Sequence, residues 1–160
     1  MVSLNGLKIK YESDKVWVWR EKWGKHKLKN PYWYELKGTV NKSTGYKCVC
    51  INNKKYKYHR VVYFLHNPDW DIHDTCCDNS IDHIDQDKLN NSIENLRVVT
   101  HQQNMWNQNR KGYYFNKVMG KHMAQIKADG KNKNLGLFDT EDEARNAYLN
   151  AKTKYHIIEC

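Results

Sequence analysis

Asp82 and His83 stand side by side, Asn95 follows twelve residues after the histidine, and Asn104 lies nine residues further on. An imidazole exchanges protons near neutral pH more readily than any other side chain. Carboxylate and amide oxygens are hard ligands, suited to Mg²⁺ or Mn²⁺. Phosphodiester hydrolysis calls for these functions together: a base to activate water, and positive charge on the non-bridging oxygen and the leaving 3′-oxygen. Taken singly, Asp82-His83 could be a surface pair and each asparagine a turn residue; the ordered set carries the reading.

Charge is distributed to match. Residues 1–60 hold 15 Lys and Arg against 4 Asp and Glu, residues 61–100 hold 2 against 8, and residues 101–160 hold 10 against 6. An acidic centre between basic flanks suits carboxylates that hold a cation at a phosphate while lysines and arginines neutralise its neighbours. The same lysines would also serve as a solvated surface. No apolar run approaches a bilayer span, and the N-terminus lacks the cationic and apolar regions of a secretory signal. A soluble, intracellular, non-secreted protein is expected, and the abundance of Asn, Lys and Tyr fits an AT-rich source such as a phage or virus.

The elements that must position these residues are short. Residues 16–20, 33–40, 46–51 and 55–58 are rich in aromatic and β-branched residues and read as antiparallel strands, with turns at 43–45 and 52–53. Residues 59–66 predict a short helix ending at Asn67-Pro68. Residues 80–84 and 96–99 read as strands joined by a polar loop, and Thr100 with Gln103 forms a capping box that starts a helix at His101. Adjacent residues of a regular strand point to opposite faces, so the first strand is expected to end or kink at Asp82-His83. After a polar linker at 107–112, residues 113–115, 122–127 and 134–138 predict three strands. Thr140 with Glu143 caps a last helix, whose Ala144, Ala147, Tyr148 and Ala151 form one apolar face. The fold class is α+β, with N-terminal antiparallel strands leading into a strand-loop-strand-helix unit, then a three-stranded sheet plus one helix.

The run IDHIDQDKLNNSIENLRVVTHQQN resembles the ββα-metal motif of HNH homing endonucleases, and the preceding YKYHRVVYFLHN resembles the segment that leads into it in phage and viral members. The resemblance implies Asp82 and Asn104 as ligands of one divalent cation, Mg²⁺ or Mn²⁺, and His83 as general base. Asn95 would brace the loop so that His83 points at the water. Asn104 stands where the signature often has histidine, which makes this the H-N-N variant. His59-Arg60 matches a His-Arg pair of the leader and is read as packing or phosphate contact. His101, Asp78, Asp85 and Asp87 have no matched role.

Residues 112–151 resemble the DNA-binding domain of plant ethylene-response factors, through Gly112, Gly120-Lys121, Ala124, Ile126, Leu135-Gly136, Phe138-Asp139-Thr140, Glu143-Ala144 and Ala147-Tyr148. That family packs a three-stranded sheet on one helix and lays the sheet in the major groove. Expected DNA contacts over the whole chain are Arg60, Arg97, Arg110, Lys111, Tyr114, Asn116, Lys121, Gln125, Lys127, Lys131 and Lys133. Domain limits follow as a β-rich DNA-contacting region at 1–58, the nuclease unit at 59–107 and the C-terminal module at 112–156.

Double-stranded DNA is therefore the expected partner, with no membrane, and with either a monomer or a dimer on the target. A site-specific homing nuclease leads; a restriction-type nuclease or a non-catalytic DNA-binding regulator are the alternatives. The five cysteines are too irregular for a disulfide framework. Cys48 and Cys50 with Cys76, Cys77 and His73 could outline a zinc site, but vicinal cysteines rarely share one ion, so structural zinc is disfavoured.

Overall fold

The computed structural model describes residues 1–23, 26–76, 78–128 and 130–158, without the side chain of Trp23. The chain divides into two units, Met1–Val98 and Val99–Cys160. The first unit opens with β1 (Val2–Leu4), β2 (Leu7–Glu12), β3 (Lys15–Trp23) and β4 (His26–Glu35), an antiparallel sheet in that order. Sequence reasoning did not anticipate β1 and β2. Their signal was the dipeptide Asn5-Gly6, whose φ of 51° and 78° makes the tight left-handed turn that matches strand twist.

Residues 33–40, expected as one strand, are two. Leu36 turns inward and donates its N–H to the Val16 carbonyl at 2.8 Å. Gly38 then takes φ 68°, where a Cβ would lie 2.7 Å from the Cys48 carbonyl oxygen. Beyond it β5 (Thr39–Val40), β6 (Lys47–Ile51) and β7 (Lys54–Lys57) form a second sheet. Helix α1 (Tyr58–His66) follows and stops where Asn67 N–H bonds the Tyr63 carbonyl, one residue before proline.

β8 (Ser80–His83) and β9 (Leu96–Val99) make a two-stranded ribbon, joined by a loop that ends in a 3-10 turn at Ile93–Asn95. One apolar core runs through this unit. Ile9, Val16 and Val18 from the first sheet, Val49 and Ile51 from β6, Val61 and Val62 from α1, and Ile81 and Leu96 from the ribbon are all buried in it. The Tyr58 hydroxyl also accepts the Val16 N–H inside this core at 3.2 Å. The N-terminal strands and the ribbon thus share the apolar burial that stabilises both.

The second unit holds α2 (His101–Asn107), β10 (Tyr113–Asn116), β11 (Lys121–Ala128), β12 (Lys131–Phe138) and α3 (Glu141–Tyr155), with the sheet in the order β10-β11-β12. Both predicted capping boxes are present, with Thr100 and Thr140 each bonded reciprocally to the glutamine or glutamate three residues on. Helix α3 lays Tyr148 and Ala151 on Ile126. Its Arg145 donates to the carbonyls of Arg110 and Lys111, and Lys152 donates to the Gln108 carbonyl at 3.1 Å, so the 107–112 linker is tied to the helix. No helix of the described residues is long and apolar enough to cross a membrane.

Gly112 sits where this module closes. Its φ is 77°, and a Cβ there would collide with the Tyr148 ring. Gly112→Ala is expected to cost about 3 kcal/mol through clash and backbone strain. Urea unfolding followed by circular dichroism should show it; an unchanged midpoint would remove Gly112 from the packing argument.

Candidate active site

β8 ends at His83, and both members of the Asp82-His83 pair are buried, at 5% and 4% exposure. The strand stops there as expected, because the His83 carbonyl accepts the Gln86 N–H at 3.0 Å and Gln86 adopts φ 69°.

Asn95 closes the loop that follows. Its backbone carbonyl accepts the Ile84 N–H at 2.9 Å, and its side-chain oxygen accepts the Asp85 N–H at 3.0 Å. Its amide donates to Asp85 Oδ1 and to the Asn90 carbonyl, both at 2.8 Å. Asn90 Nδ2 adds a bond to Asp85 Oδ2 at 2.7 Å. Bonds from Asn90, then Asn95, hold the Asp85 carboxyl below the ordinary carboxylate range. Asp85, given no role from the sequence, is a strut of this loop.

Asn91, also unanticipated, fixes the histidine. Its amide donates to the Leu89 carbonyl at 2.8 Å, which orients Oδ1 toward His83 Nε2 at 3.2 Å. An amide oxygen can only accept, so Nε2 carries a proton, and of the two neutral tautomers the bond selects the one with its lone pair on Nδ1. The ring is further confined by His59, edge-on with centroids 4.9 Å apart, and by Tyr46 at 5.9 Å. His59 is buried, its Nδ1 has no partner among the described residues, and burial followed by the neighbouring His83 charge holds its pKa well below the usual value. His59 therefore packs as a neutral ring.

Asp82 is met by Arg97 from β9, which donates from Nε at 3.1 Å and from Nη2 at 2.9 Å, both to Oδ2. The guanidinium compensates the buried carboxylate. Arg97 was expected to contact DNA and is placed beside the acid. Arg60 likewise turns inward: its guanidinium donates to the carbonyls of Ile72, Asp74 and Asn79 and packs over the Trp70 ring at 4.5 Å. It fastens the 69–79 segment to α1. Asn104 and its helix open the second unit, so its expected role rests on the sequence pattern.

Residues 56–106 match the family model described as HNH endonuclease. The match supports an HNH nuclease domain. Such a domain implies DNA as substrate, and nucleases of this kind commonly use a divalent metal. The match spans less than half of the chain but takes in α1, the β8–β9 ribbon and most of α2. Neither the curated proteins nor the solved structures yield a match.

In the C-terminal module, cross-strand partners share a face. Tyr114, Asn116, Lys121, Gln125 and Lys127 lie on the side of the sheet away from α3, joined by Asn132 and Asn134 opposite Lys127 and Gln125. Lys131 and Lys133 pair with Ala128 and Ile126, which are buried under α3, and the Lys133 ammonium sits 4.2 Å over the Tyr155 ring. The expected contact set is thus split between two faces. Lys111 pairs with Glu141 at 3.4 Å, and Arg110 Nη2 reaches Gln108 Oε1 at 3.3 Å.

Two of the described candidate zinc ligands have other partners. His73 Nδ1 lies 3.1 Å from Lys54 Nζ, and Cys76 donates to Asp74 Oδ2 at 3.3 Å. Cys48 is buried in β6 while Cys50 is exposed, and Cys77 lies outside the described residues. Among the described residues no group of three His, Cys, Asp or Glu could hold a metal.

The buried neutral His59 has a measurable consequence. Its folded pKa is depressed, so the unfolded chain takes the proton first, and stability is lost as pH falls below the unfolded value of about 6.5. His59→Phe should lessen the loss between pH 7.5 and 5.5 by about 1.4 kcal/mol in urea unfolding. An identical loss in both proteins would show that His59 protonates freely in the fold.

Proposed function

We propose that the chain is a divalent-metal-dependent endonuclease that hydrolyses one strand of double-stranded DNA per active site. The observation that supports it is the co-burial of Asp82 and His83 where β8 ends, with Nε2 of His83 turned to Asn91, inside the segment that matches HNH endonucleases. In this reading His83 Nδ1 takes a proton from the attacking water. Asn91 sets the tautomer, and Asn95 holds the loop at the length that brings Asn91 to the ring.

The donor chemistry fits a hard cation. Asp82 offers a carboxylate, and the sequence pattern adds the Asn104 amide oxygen, so these two would hold Mg²⁺ or Mn²⁺. When bound, the cation supplies positive charge that stabilises the transition state and the leaving 3′-oxygen. Arg97 holds the Asp82 carboxylate in a fixed orientation for this task.

The C-terminal sheet face bearing Tyr114, Asn116, Lys121, Gln125 and Lys127 would read and grip duplex DNA, in the manner of ethylene-response-factor domains. Gln125, with Asn132 and Asn134 beside it, suits adenine edges, and the lysines suit phosphates. Arg110 and Lys111, on the linker, would add phosphate contacts. A single site-specific nick then fits a homing nuclease, unless two chains meet on the target.

A supercoiled plasmid carrying the recognition site should be nicked in Mg²⁺ or Mn²⁺ and spared in chelator. His83→Ala should slow nicking by roughly 10²- to 10⁴-fold while retaining DNA binding. Unchanged cutting by that variant would remove His83 from the chemistry.

A further inference from the structure

The sheet β1–β4 has two unlike faces. Ile9, Val16 and Val18 point into the core and are fully buried. Trp17, Trp19 and Trp33 alternate with them, lie half-buried on the opposite side, and neither belong to that core nor pack against it among the described residues. Trp17 stands opposite Lys10 on one side and Glu35 on the other, and Trp19 stands opposite Trp33 with ring centroids 5.3 Å apart. The Lys10 ammonium reaches over the Trp33 ring at 5.0 Å.

The acids on this sheet are engaged. Glu12 pairs with Lys10 at 2.7 Å, Glu35 with Lys15 at 3.2 Å, and Glu21 accepts the Trp19 indole N–H at 2.9 Å. The cations of the β3–β4 hairpin outnumber them. Lys22, Lys27 and Lys29 lie in its distal half, and Lys22 faces Lys27 directly across the strands, while Arg20 packs over the Tyr34 ring at 4.3 Å on the other face. Like charges opposite one another weaken a sheet, and an anion between them would relieve the repulsion.

We propose that this tryptophan face is a stacking platform for a single-stranded segment of DNA, with bases on the indoles and phosphates along the hairpin cations. Duplex DNA offers base edges in its grooves, whereas an unpaired base offers the π-face that an indole stacks on. An apolar protein partner would cover the indoles and leave the Lys22 and Lys27 repulsion in place. The choice of DNA over RNA rests on the nuclease reading, since nicking or local melting of a duplex target frees such a strand.

The test uses the full chain in chelator, so that binding is read without cleavage. A dye-labelled twelve-nucleotide oligothymidylate should bind and quench the intrinsic tryptophan fluorescence. Trp19→Leu and Trp33→Leu should each weaken binding roughly tenfold, with the fold checked by circular dichroism. Lys22→Gln should make the salt dependence shallower. Absence of quenching in the unmodified chain overturns the proposal whether or not the variants fold. So does unchanged affinity in folded variants, or displacement of the oligomer by blunt duplex as effectively as by single strand. Tighter binding of oligouridylate would overturn the assignment to DNA. A chain that binds the oligomer but never nicks would sink the nuclease reading alone, and one that nicks but shows no stacking would sink this proposal alone.

Discussion

Asp82 and His83 are both buried where β8 ends, and a carboxylate and an imidazole can be buried side by side only if neighbouring elements cover each of them. The rest of the first unit answers that constraint. His59 and Tyr46 close around the imidazole, and Arg97 reaches across the ribbon to the carboxylate. Burial without these neighbours would strand a charge in the interior, which costs several kcal/mol. Each cover comes from a different element, α1, the residue before β6, and β9, and the shared core keeps those elements in place.

The loop between β8 and β9 has a separate task. It carries the group that orients His83, and its amide and carboxylate side chains knit a turn whose backbone polar groups would otherwise face solvent. Asn95 alone contributes one backbone acceptor, one backbone donor, one side-chain acceptor and two side-chain donors. The abundance of asparagine here is therefore structural, and the tautomer of the histidine depends on it.

Local signals in the sequence carried far. Both capping boxes, α1 with its stop before Pro68, the strand end at His83 and the sheet-and-helix order after residue 112 are set by interactions within a few residues, and such interactions leave a readable pattern. What escaped was of two kinds. The β1–β2 hairpin carried its turn signal at Asn5-Gly6 but lacked the aromatic density that marked the later strands. The partners of Arg97 and Arg60 depend on which strand or loop lies beside them, and a positive charge in a basic chain reads as a phosphate contact until its neighbours are known. Lys131 and Lys133 were grouped with Lys127 because all are basic; the register across β11 and β12 separates them.

In the proposed mechanism Asp82 and His83 act together on a phosphodiester with a divalent cation at the carboxylate. Single-turnover cleavage of a labelled target duplex across a range of Mn²⁺ concentrations tests it most directly, with Asp82→Asn beside the unmodified chain. The account predicts a rate that saturates with metal, and an Asp82→Asn variant that needs at least about tenfold more Mn²⁺ to approach a lower maximum. Identical metal curves for the two proteins would contradict it.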